Sequence, residues 1–251
     1  MELRPRVIPS LLLQEGQLVK GSNFNHHMYL GDPLNAVKIF NDMQVDELSI
    51  SEISKNNIDF LLLEKISSRA FMPLSYGGNI KTIQDARKLF NMGFERLVLN
   101  SLFYKNPNAI EEIVETFGSS SVSVSIDYKY SIFKKLFVCS ESGKKKENRS
   151  IEELVRIAEK LNIGEIIFQC IDREGTRKSA DKSLLKMFRD KLDLQITIAG
   201  GVSSFDEIRD LSKLGADGIL VGDLFTFSGR LKGLLLSYPE SKQLDSLYVS
   251  H

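Results

Sequence analysis

Apolar residues follow two different periods within the segment Phe71–Phe103, and the changes of period mark successive structural elements. Leu74–Tyr76 is a short β-type run, and the Gly77–Gly78 pair after it allows a tight backbone turn. From Thr82 onward apolar residues recur at helical spacing, and Thr82 is suited to cap that helix. Arg96–Leu99 is a second short apolar run. The pattern predicts a strand–helix–strand unit.

The same unit recurs at a constant offset of 122 residues, in the segment Thr197–Phe225. The shared residues occupy turn, helix-end and apolar positions, so each has a structural role. A gap-free match of this kind predicts an internal duplication, in which one half-chain pattern folds twice. The identical pairs are Gly78 and Gly200, Arg87 and Arg209, Leu89 and Leu211, Gly93 and Gly215, Leu102 and Leu224, and Phe103 and Phe225.

Short buried strands that alternate with amphipathic helices predict βαβ units and a parallel sheet. Two halves, about 1–120 and 121–240, in a chain of 251 residues match the usual length of an eight-stranded barrel, about 250 residues. We therefore predict an α/β fold with one domain over 1–251, a single (βα)8 TIM barrel built from two duplicated half-barrels. Strands are expected at 6–12, 45–51, 74–76, 96–99, 121–127 and 165–169, with two more that end at 199 and 222.

Three stretches depart from the regular alternation of strands and helices. Residues 13–32 are too many for an ordinary connection, so we expect a functional loop on the catalytic face. Residues 128–149 are an insertion whose β character at 133–138 favours a hairpin. A last helix is expected near 229–236, before a loose C-terminal end.

The 33 basic and 33 acidic residues cancel, which gives no support for nucleic acid or a membrane surface as the main partner. The N-terminal residues lack the apolar run of a signal peptide or a membrane span. Cys139 and Cys170 have neither metal-binding spacing nor a disulfide framework, so a reduced, cytoplasmic setting is expected. We expect no metal and no cofactor.

Functional groups of a βα barrel lie at the C-terminal ends of its strands. Glycine turns there present unpaired N–H groups, which suit phosphate. Two repeat-related places of this kind predict a ligand that is phosphorylated at both ends, although a tight turn alone would account for any one glycine pair. The two places are Gly78, Asn79, Asn100 and Ser101 on one side, and Gly201, Gly222 and Asp223 on the other.

Asp127 ends an apolar alternation in the fifth strand and is the best candidate for a general acid or base. The alternative role for Asp127 is a helix cap or an ion-pair partner. The repeat places the end of the first strand opposite it, and that residue is Leu12. A leucine cannot transfer a proton, so a two-carboxylate mechanism lacks one partner.

Taken together, the motifs resemble the cyclase subunit of imidazole glycerol phosphate synthase over essentially the whole chain. The resemblance implies a duplicated half-barrel that binds a bis-phosphorylated ribonucleotide at its mouth. It also implies a glutaminase subunit docked on the opposite, N-terminal face and ammonia that travels through the barrel interior. The motifs are, in order, RVIPSLLL, LVKGSNF, GDP, DEL, GGNI, LNS, SID, GEI, IDREGT, AGGVSS and GADG.

The resemblance assigns roles to individual residues. Lys20 matches the loop lysine and Asp127 the second catalytic aspartate, whereas Leu12 stands where the first aspartate is expected. Other departures are Asn79 for a glycine, Glu174 for an aspartate and Asp223 for a serine; the last puts a negative charge at a phosphate site. Asn100 and Ser101 match the first phosphate site, and Gly175, Thr176, Gly201 and Gly222 match the second.

Four charged residues match those that close the inner end of the family's ammonia path; we call them the inner gate. Two are basic and two are acidic, so we expect two ion pairs. A buried ion-pair layer at the bottom of any barrel is the alternative interpretation. An intact gate beside a missing catalytic acid favours a chain that accepts ammonia without the complete cyclase machinery. The gate residues are Arg6, Glu47, Arg96 and Glu165.

The end of the first strand and the GQLVKG segment resemble cyclase-like paralogues associated with sugar amidation in surface polysaccharide biosynthesis. The first hypothesis is therefore an ammonia-channelling subunit that works with a glutaminase and a sugar amidotransferase. The second is a genuine cyclase, a lyase of histidine biosynthesis, with Glu52 as the substitute acid. The third is a non-catalytic scaffold that activates the glutaminase.

Overall fold

The computed structural model describes residues 4–228 and 233–247. Eight parallel strands pair in a closed ring, in which the eighth returns to the first with Gly218 beside Arg6. The predicted (βα)8 barrel is confirmed. In ring order, which is also chain order, the strands are β1 (Arg6–Gln14), β2 (Leu48–Glu52), β3 (Leu74–Gly77), β4 (Arg96–Leu99), β5 (Val122–Tyr130), β6 (Glu165–Cys170), β7 (Gln195–Ala199) and β8 (Gly218–Val221).

Six of the helices between these strands begin at a side-chain cap that the sequence shows. The Thr82 hydroxyl accepts a hydrogen bond from the backbone N–H of Asp85, and the Ser150 hydroxyl accepts one from the backbone N–H of Glu153. In each pair the carboxylate of the acid accepts a second hydrogen bond, from the backbone N–H of the cap residue. The helices are α1 (Pro33–Asp42), α2 (Phe60–Ser67), α3 (Ile83–Asn91), α4 (Ser101–Lys105), α5 (Pro107–Phe117), α6 (Ile151–Lys160), α7 (Ser183–Phe188), α8 (Phe205–Lys213), α9 (Asp223–Thr226) and α10 (Ser241–Asp245).

Alternation along each strand separates the apolar core from the barrel interior. On β5, Val122 and Val124 are fully buried in the apolar core that the helices cover. Ser123, between them, points into the barrel and donates to Glu165 at 2.5 Å. The apolar core therefore lies between sheet and helices, and the interior rows mix small polar side chains with apolar ones such as Val98 and Ile167.

The two repeat-related units keep matching backbone geometry. Asn100, before α4, has φ −119° and ψ −76°, and Gly222, before α9, has φ −100° and ψ −81°. Gly78 and Gly200 both have positive φ, and a side chain at either would collide with a backbone carbonyl oxygen. Superposition of the two half-barrels stays a prediction. It requires that corresponding residues have matching backbone angles, as Asn100 and Gly222 do.

The structure corrects the expectations for the irregular stretches. Much of 13–32 is an antiparallel hairpin rather than a loop, with strands Gln17–Ser22 and Asn25–Gly31. The insertion does contain a hairpin, in which β5 runs on to Tyr130 and pairs with Leu136–Ser140.

The prediction of a helix near 229–236 is wrong for those of its residues that the structure describes. Residues 229–232 lie outside the described part, and Gly233–Leu234 pairs as a strand with Phe227–Ser228. The loose end expected over the final dozen residues is wrong up to Leu247, which is buried and whose carbonyl oxygen accepts a hydrogen bond from the Ser212 hydroxyl at 2.8 Å; residues 248–251 lie outside the described part. Among the described helices, none has the length and apolar character needed to cross a membrane.

Candidate active site and inner gate

The C-terminal ends of β1–β8 form the outer mouth of the barrel, and the Gln17–Ser22 and Asn25–Gly31 hairpin folds over it. Lys20 on this hairpin lies 2.6 Å from the carboxylate of Glu174, in the loop after β6, and both side chains are buried. The backbone N–H of Asn23 also donates to the Glu174 carbonyl oxygen at 3.0 Å. These contacts place Lys20, the predicted loop lysine, at the outer mouth.

The buried Lys20–Glu174 pair predicts a large effect of removing one partner. Lys20→Met would leave the Glu174 carboxylate buried without its counter-charge, so we expect a loss of about 3 kcal/mol in the free energy of unfolding. The double variant Lys20→Met with Glu174→Gln removes both charges and should recover most of that loss. Urea denaturation measures all three proteins. Equal losses in the single and double variants would contradict this account of the pair.

Asp127, the predicted acid or base, lies on β5 with its side chain 6% exposed. Burial raises the pKa of its carboxyl to about 7, although a hydrogen bond from the Ser125 hydroxyl at 2.7 Å opposes that shift. The Asn100 amide donates to the Ser125 carbonyl oxygen at 3.0 Å, so Asp127 adjoins the first predicted phosphate site. A carboxyl that titrates near neutral pH can both donate and accept a proton under physiological conditions.

The raised pKa of Asp127 predicts a pH-dependent stability cost. A carboxyl with a higher pKa in the folded chain than in the unfolded chain loses stability as pH rises from about 4 through about 7. Asp127→Asn should therefore be more stable than wild type by about 2–4 kcal/mol at pH 8 and nearly equal at pH 4. Urea denaturation at both pH values measures this difference. Asp206→Asn, on an exposed carboxylate of α8, is the control, and a similar pH response in both variants would contradict the assignment.

Leu12 ends the interior row of β1 and lies in register with Ser51 on β2. Glu52, considered as a substitute acid, is instead in register with Leu13, which is buried in the helix-facing core. Register partners of parallel strands point to the same side of the sheet, so Glu52 projects away from the interior row. Its carboxylate accepts a hydrogen bond from the backbone N–H of Ser54 at 2.8 Å. The structure therefore does not bring Glu52 to the position that a replacement for the missing aspartate requires.

The first predicted phosphate site consists of uncharged residues. Asn79 has positive φ, and its amide donates to the Ser54 carbonyl oxygen at 2.9 Å. Gly78 directly precedes it, and Asn100 and Ser101 lie at the start of α4. The asparagine amides thus fix the turns, which leaves the Ser101 hydroxyl and backbone N–H groups as the donors for a ligand.

Glycines of the second predicted phosphate site have packing reasons to be glycine. A side chain at Gly175 would collide with the hairpin backbone, and one at Gly201 would lie 2.7 Å from the Ser179 carbonyl oxygen. The Thr176 hydroxyl is engaged, because it donates to the Arg173 carbonyl oxygen at 2.7 Å. Tight turns alone account for these three residues, so their phosphate roles stay a prediction.

Gly222 and Asp223, at the end of β8, have charged neighbours. The ammonium of Lys20 lies 2.6 Å from where a side chain at Gly222 would begin. The Asp223 carboxylate accepts a hydrogen bond from the guanidinium of Arg177, so its charge is paired inside the protein. The sequence analysis did not identify Arg177. No motif indicates it, because the pair joins the loop after β6 to the start of α9.

At the other end of the barrel, the inner gate is more connected than the two expected ion pairs. Arg6 lies 2.5 Å from Glu47 and 2.6 Å from Glu165, and Arg96 lies 3.5 Å and 3.0 Å from the same two acids. Each arginine therefore bridges both carboxylates in a ring of four contacts. Ser123 and Thr197 also donate to Glu165.

The gate charges hold one another in place. Burial raises the pKa of Glu47 even though Arg6 opposes that shift. Burial alone would lower the pKa of Arg6, but Glu165 and Glu47 outweigh it, so its pKa is raised. Arg6 therefore stays charged, and the ring closes the interior with mutually satisfied groups.

A cleft of about 510 Å³ lies on the N-terminal face and reaches the inner gate. Glu47 and Arg96 of the gate form part of its wall, beside the aromatic rings of Phe90, Phe94 and Phe117. Two of the four gate residues are thus accessible from this cleft. Within 4–228 and 233–247, no group of three or more histidines, cysteines, aspartates or glutamates is arranged to hold a metal ion.

Comparison with known proteins identifies relatives over most of the chain. Residues 6–232 match the family described as "Histidine biosynthesis protein". The "Putative imidazole glycerol phosphate synthase subunit HisF" of Leptospira interrogans is 37% identical, over 98% of this chain and 99% of the relative. The "Putative imidazole glycerol phosphate synthase subunit hisF2" of Pseudomonas aeruginosa is 35% identical, over 97% and 99%. The "Imidazole glycerol phosphate synthase subunit HisF" of Petrotoga mobilis is 30% identical, over 90% and 91%.

Proposed function

The chain belongs to the histidine biosynthesis protein family as a cyclase-like subunit of the imidazole glycerol phosphate synthase type, and we propose that it transfers ammonia from a glutaminase for sugar amidation. The observation that carries this proposal is the contrast between the two ends of the barrel. The inner gate is complete, with Arg6 and Arg96 each bridging both acids. The outer mouth has Asp127 but has Leu12 where the partner acid is expected.

The barrel interior supports passage of neutral ammonia. Ser75 and Ser123 lie at the level of the gate, in register with Arg96 and Glu165, and Ser49 lies beside Ser75 on the neighbouring strand; all three are buried. Beyond the gate, apolar side chains such as Ile167, in register with Ser125, share the interior with hydroxyl groups. Neutral ammonia can pass such groups, whereas an ammonium ion would lose its hydration without gaining a counter-charge. A path of this kind keeps ammonia unprotonated until it reaches the mouth.

We assign the glutaminase to the N-terminal face, over the cleft that reaches the gate. Ammonia released there would meet Arg96 and Glu47 first, because both line the cleft and belong to the gate. The ligand of the outer mouth is then a phosphorylated small molecule, with Asn100 and Ser101 at its phosphate. Asp127 adjoins that site through Ser125 and is placed to move a proton on the ligand.

One sequence feature supports a sugar as the acceptor and a sugar amidotransferase as the further partner, and the names of two relatives agree with a second subunit of this kind. The end of β1 and the GQLVKG segment resemble the cyclase-like paralogues of polysaccharide biosynthesis. Relatives in Pseudomonas aeruginosa and Vibrio vulnificus bear the numbered names hisF2 and hisF3, as expected where a genome encodes more than one such subunit.

A genuine cyclase of histidine biosynthesis is the second candidate, and the retained Asp127 with its near-neutral pKa favours it. Free ammonium separates the candidates. A cyclase should form imidazole glycerol phosphate from the phosphoribosyl ribonucleotide substrate and ammonium salt without any partner, whereas the proposed subunit should not. A scaffold should activate the glutaminase yet give no product with any ammonia source.

Co-purification with the glutaminase tests the proposal. We expect a complex in which glutamine hydrolysis is faster than in the glutaminase alone, formed through the N-terminal face. A bulky charge on the cleft wall, Phe117→Glu, should weaken this complex, whereas Ile132→Glu at the exposed tip of the outer-mouth insertion should not. A complex that responds only to the Ile132 variant would contradict this placement.

A further inference from the structure

Beside Gly222 the carboxylate of Asp223 is paired with a cation of the same chain, Arg177. Arg177 donates through Nε to the Asp223 carboxylate and through Nη2 to the Asp223 carbonyl oxygen at 2.6 Å. The same Nη2 donates to the Phe227 carbonyl oxygen at 2.7 Å. The guanidinium is thus bound to the backbone on either side of α9 and to the acid that starts this helix.

The second cation of this region is also engaged. Lys20 reaches the Gly222 position, but its ammonium is paired with Glu174 at 2.6 Å, and both side chains are buried. Among the described residues, two buried or partly buried ion pairs therefore lie beside Gly222: Lys20–Glu174 and Arg177–Asp223. Neither pair leaves a surplus positive charge to balance a phosphate dianion.

The first site differs at the corresponding position. The repeat offset of 122 residues matches Ser101 with Asp223, so a hydroxyl at one end of the mouth corresponds to a carboxylate at the other. Asp223 is only 7% exposed, and its charge cannot move into solvent without movement of α9. A phosphate at the second end would lie against this buried acid.

We propose that the ligand of the outer mouth carries a single phosphate, bound at the Asn100 and Ser101 end, and that its other end is an uncharged, hydroxyl-bearing group beside the Arg177–Asp223 pair. The Asp223 carboxylate binds the guanidinium of Arg177, the group that would otherwise be available to a second phosphate. This inference rests on the proposed function, since it concerns the same ligand site. It makes Arg177 and Asp223 specificity-determining residues.

Calorimetric titration with two probes tests this substrate class. Ribose 5-phosphate carries one phosphate, and ribulose 1,5-bisphosphate carries two. For the wild-type chain we expect ribose 5-phosphate to bind and the bisphosphate to bind no more than about twofold more tightly. Asp223→Ser should tighten binding of the bisphosphate about tenfold or more, because it removes the opposing charge and frees Arg177. The affinity for ribose 5-phosphate, whose other end carries no charge, should change by no more than about threefold.

Two controls keep the result interpretable. Asp206→Ser removes an exposed carboxylate of α8 and should alter neither affinity, so it controls for net charge. Asp223→Asn keeps the side-chain shape, should show the same selective gain, and serves if Asp223→Ser does not fold.

Wild-type binding of the bisphosphate at least tenfold more tightly than ribose 5-phosphate, lost in Arg177→Met, would overturn the proposal, because Arg177 would then leave Asp223 for the second phosphate. A lack of binding by ribose 5-phosphate would overturn it too. Ammonia transfer is judged separately, by glutamine hydrolysis in the complex with the glutaminase, so the two failures are distinguishable.

Discussion

Arg96→Ala is expected to uncouple glutamine hydrolysis from use of the ammonia. In the wild-type complex, glutamate and amidated product should form in equal amounts; in the variant, glutamate should exceed product severalfold. The reason is the ring of contacts at the inner gate, in which Arg96 bridges Glu47 at 3.5 Å and Glu165 at 3.0 Å. Without Arg96, both acids depend on Arg6 alone, and water can enter to solvate the unpaired charge.

Stability separates gating from a general loss of structure. Arg96→Ala leaves buried carboxylate charge uncompensated, so we expect the free energy of unfolding to fall by about 3 kcal/mol. The double variant Arg96→Met with Glu165→Gln should recover much of that stability while the excess of glutamate persists, because the gate remains incomplete. Arg209→Ala removes an exposed arginine of α8 and should change neither quantity. An unchanged ratio of glutamate to product in Arg96→Ala would count against a gated path.

Wild-type turnover of the phosphoribosyl ribonucleotide with ammonium salt is expected to be lower than that of a two-aspartate cyclase by about 10²–10⁴-fold or more. The retained acid, Asp127, has a pKa of about 7 and can still transfer a proton. Leu12, its expected partner, cannot, and Glu52 belongs to the helix-facing register. One of the two proton-transfer steps therefore has no group to perform it.

Leu12→Asp tests this interpretation by gain of activity. If the missing acid limits the reaction, Leu12→Asp should raise cyclase turnover above wild type, whereas Leu12→Asn, of nearly the same size but unable to transfer a proton, should not. Asp223→Ser combined with Leu12→Asp should raise it further, since the cyclase substrate carries two phosphates. Wild-type turnover comparable to that of a two-aspartate cyclase would favour the histidine-pathway alternative.

The barrel was predictable because its determinants are local and repeated. Period changes such as that from Leu74–Tyr76 to the helix after Thr82 mark each βα unit, and the cap at Thr82 forms as expected. The 122-residue repeat then supplied the second half. The inner gate was predictable as a set of residues through the family resemblance, but its ring of four contacts was not, because arginine can bridge two acids or pair with one.

What the sequence could not show depends on how loops meet in space. Lys20 and Glu174 pair across 154 positions, and Arg177 and Asp223 pair across 46, without any periodic signal that joins them. The sequence indicates only that Asp223 brings a negative charge to a predicted phosphate site, whereas the structure also shows its partner, Arg177. The anchoring of the C-terminal residues escapes prediction for the same reason, since Leu247 is held by a hydrogen bond from Ser212, 35 positions away.

The source of the transferred nitrogen tests the central claim most directly. The complex of this chain with its glutaminase and sugar amidotransferase would receive glutamine carrying heavy nitrogen in its side-chain amide, in buffer with a large excess of unlabelled ammonium. We predict that the amidated sugar contains mostly heavy nitrogen, because ammonia passes from glutaminase to acceptor through the gated barrel without mixing with solvent. Product that carries the nitrogen of the buffer, or heavy nitrogen recovered in imidazole glycerol phosphate instead of a sugar, would contradict the account.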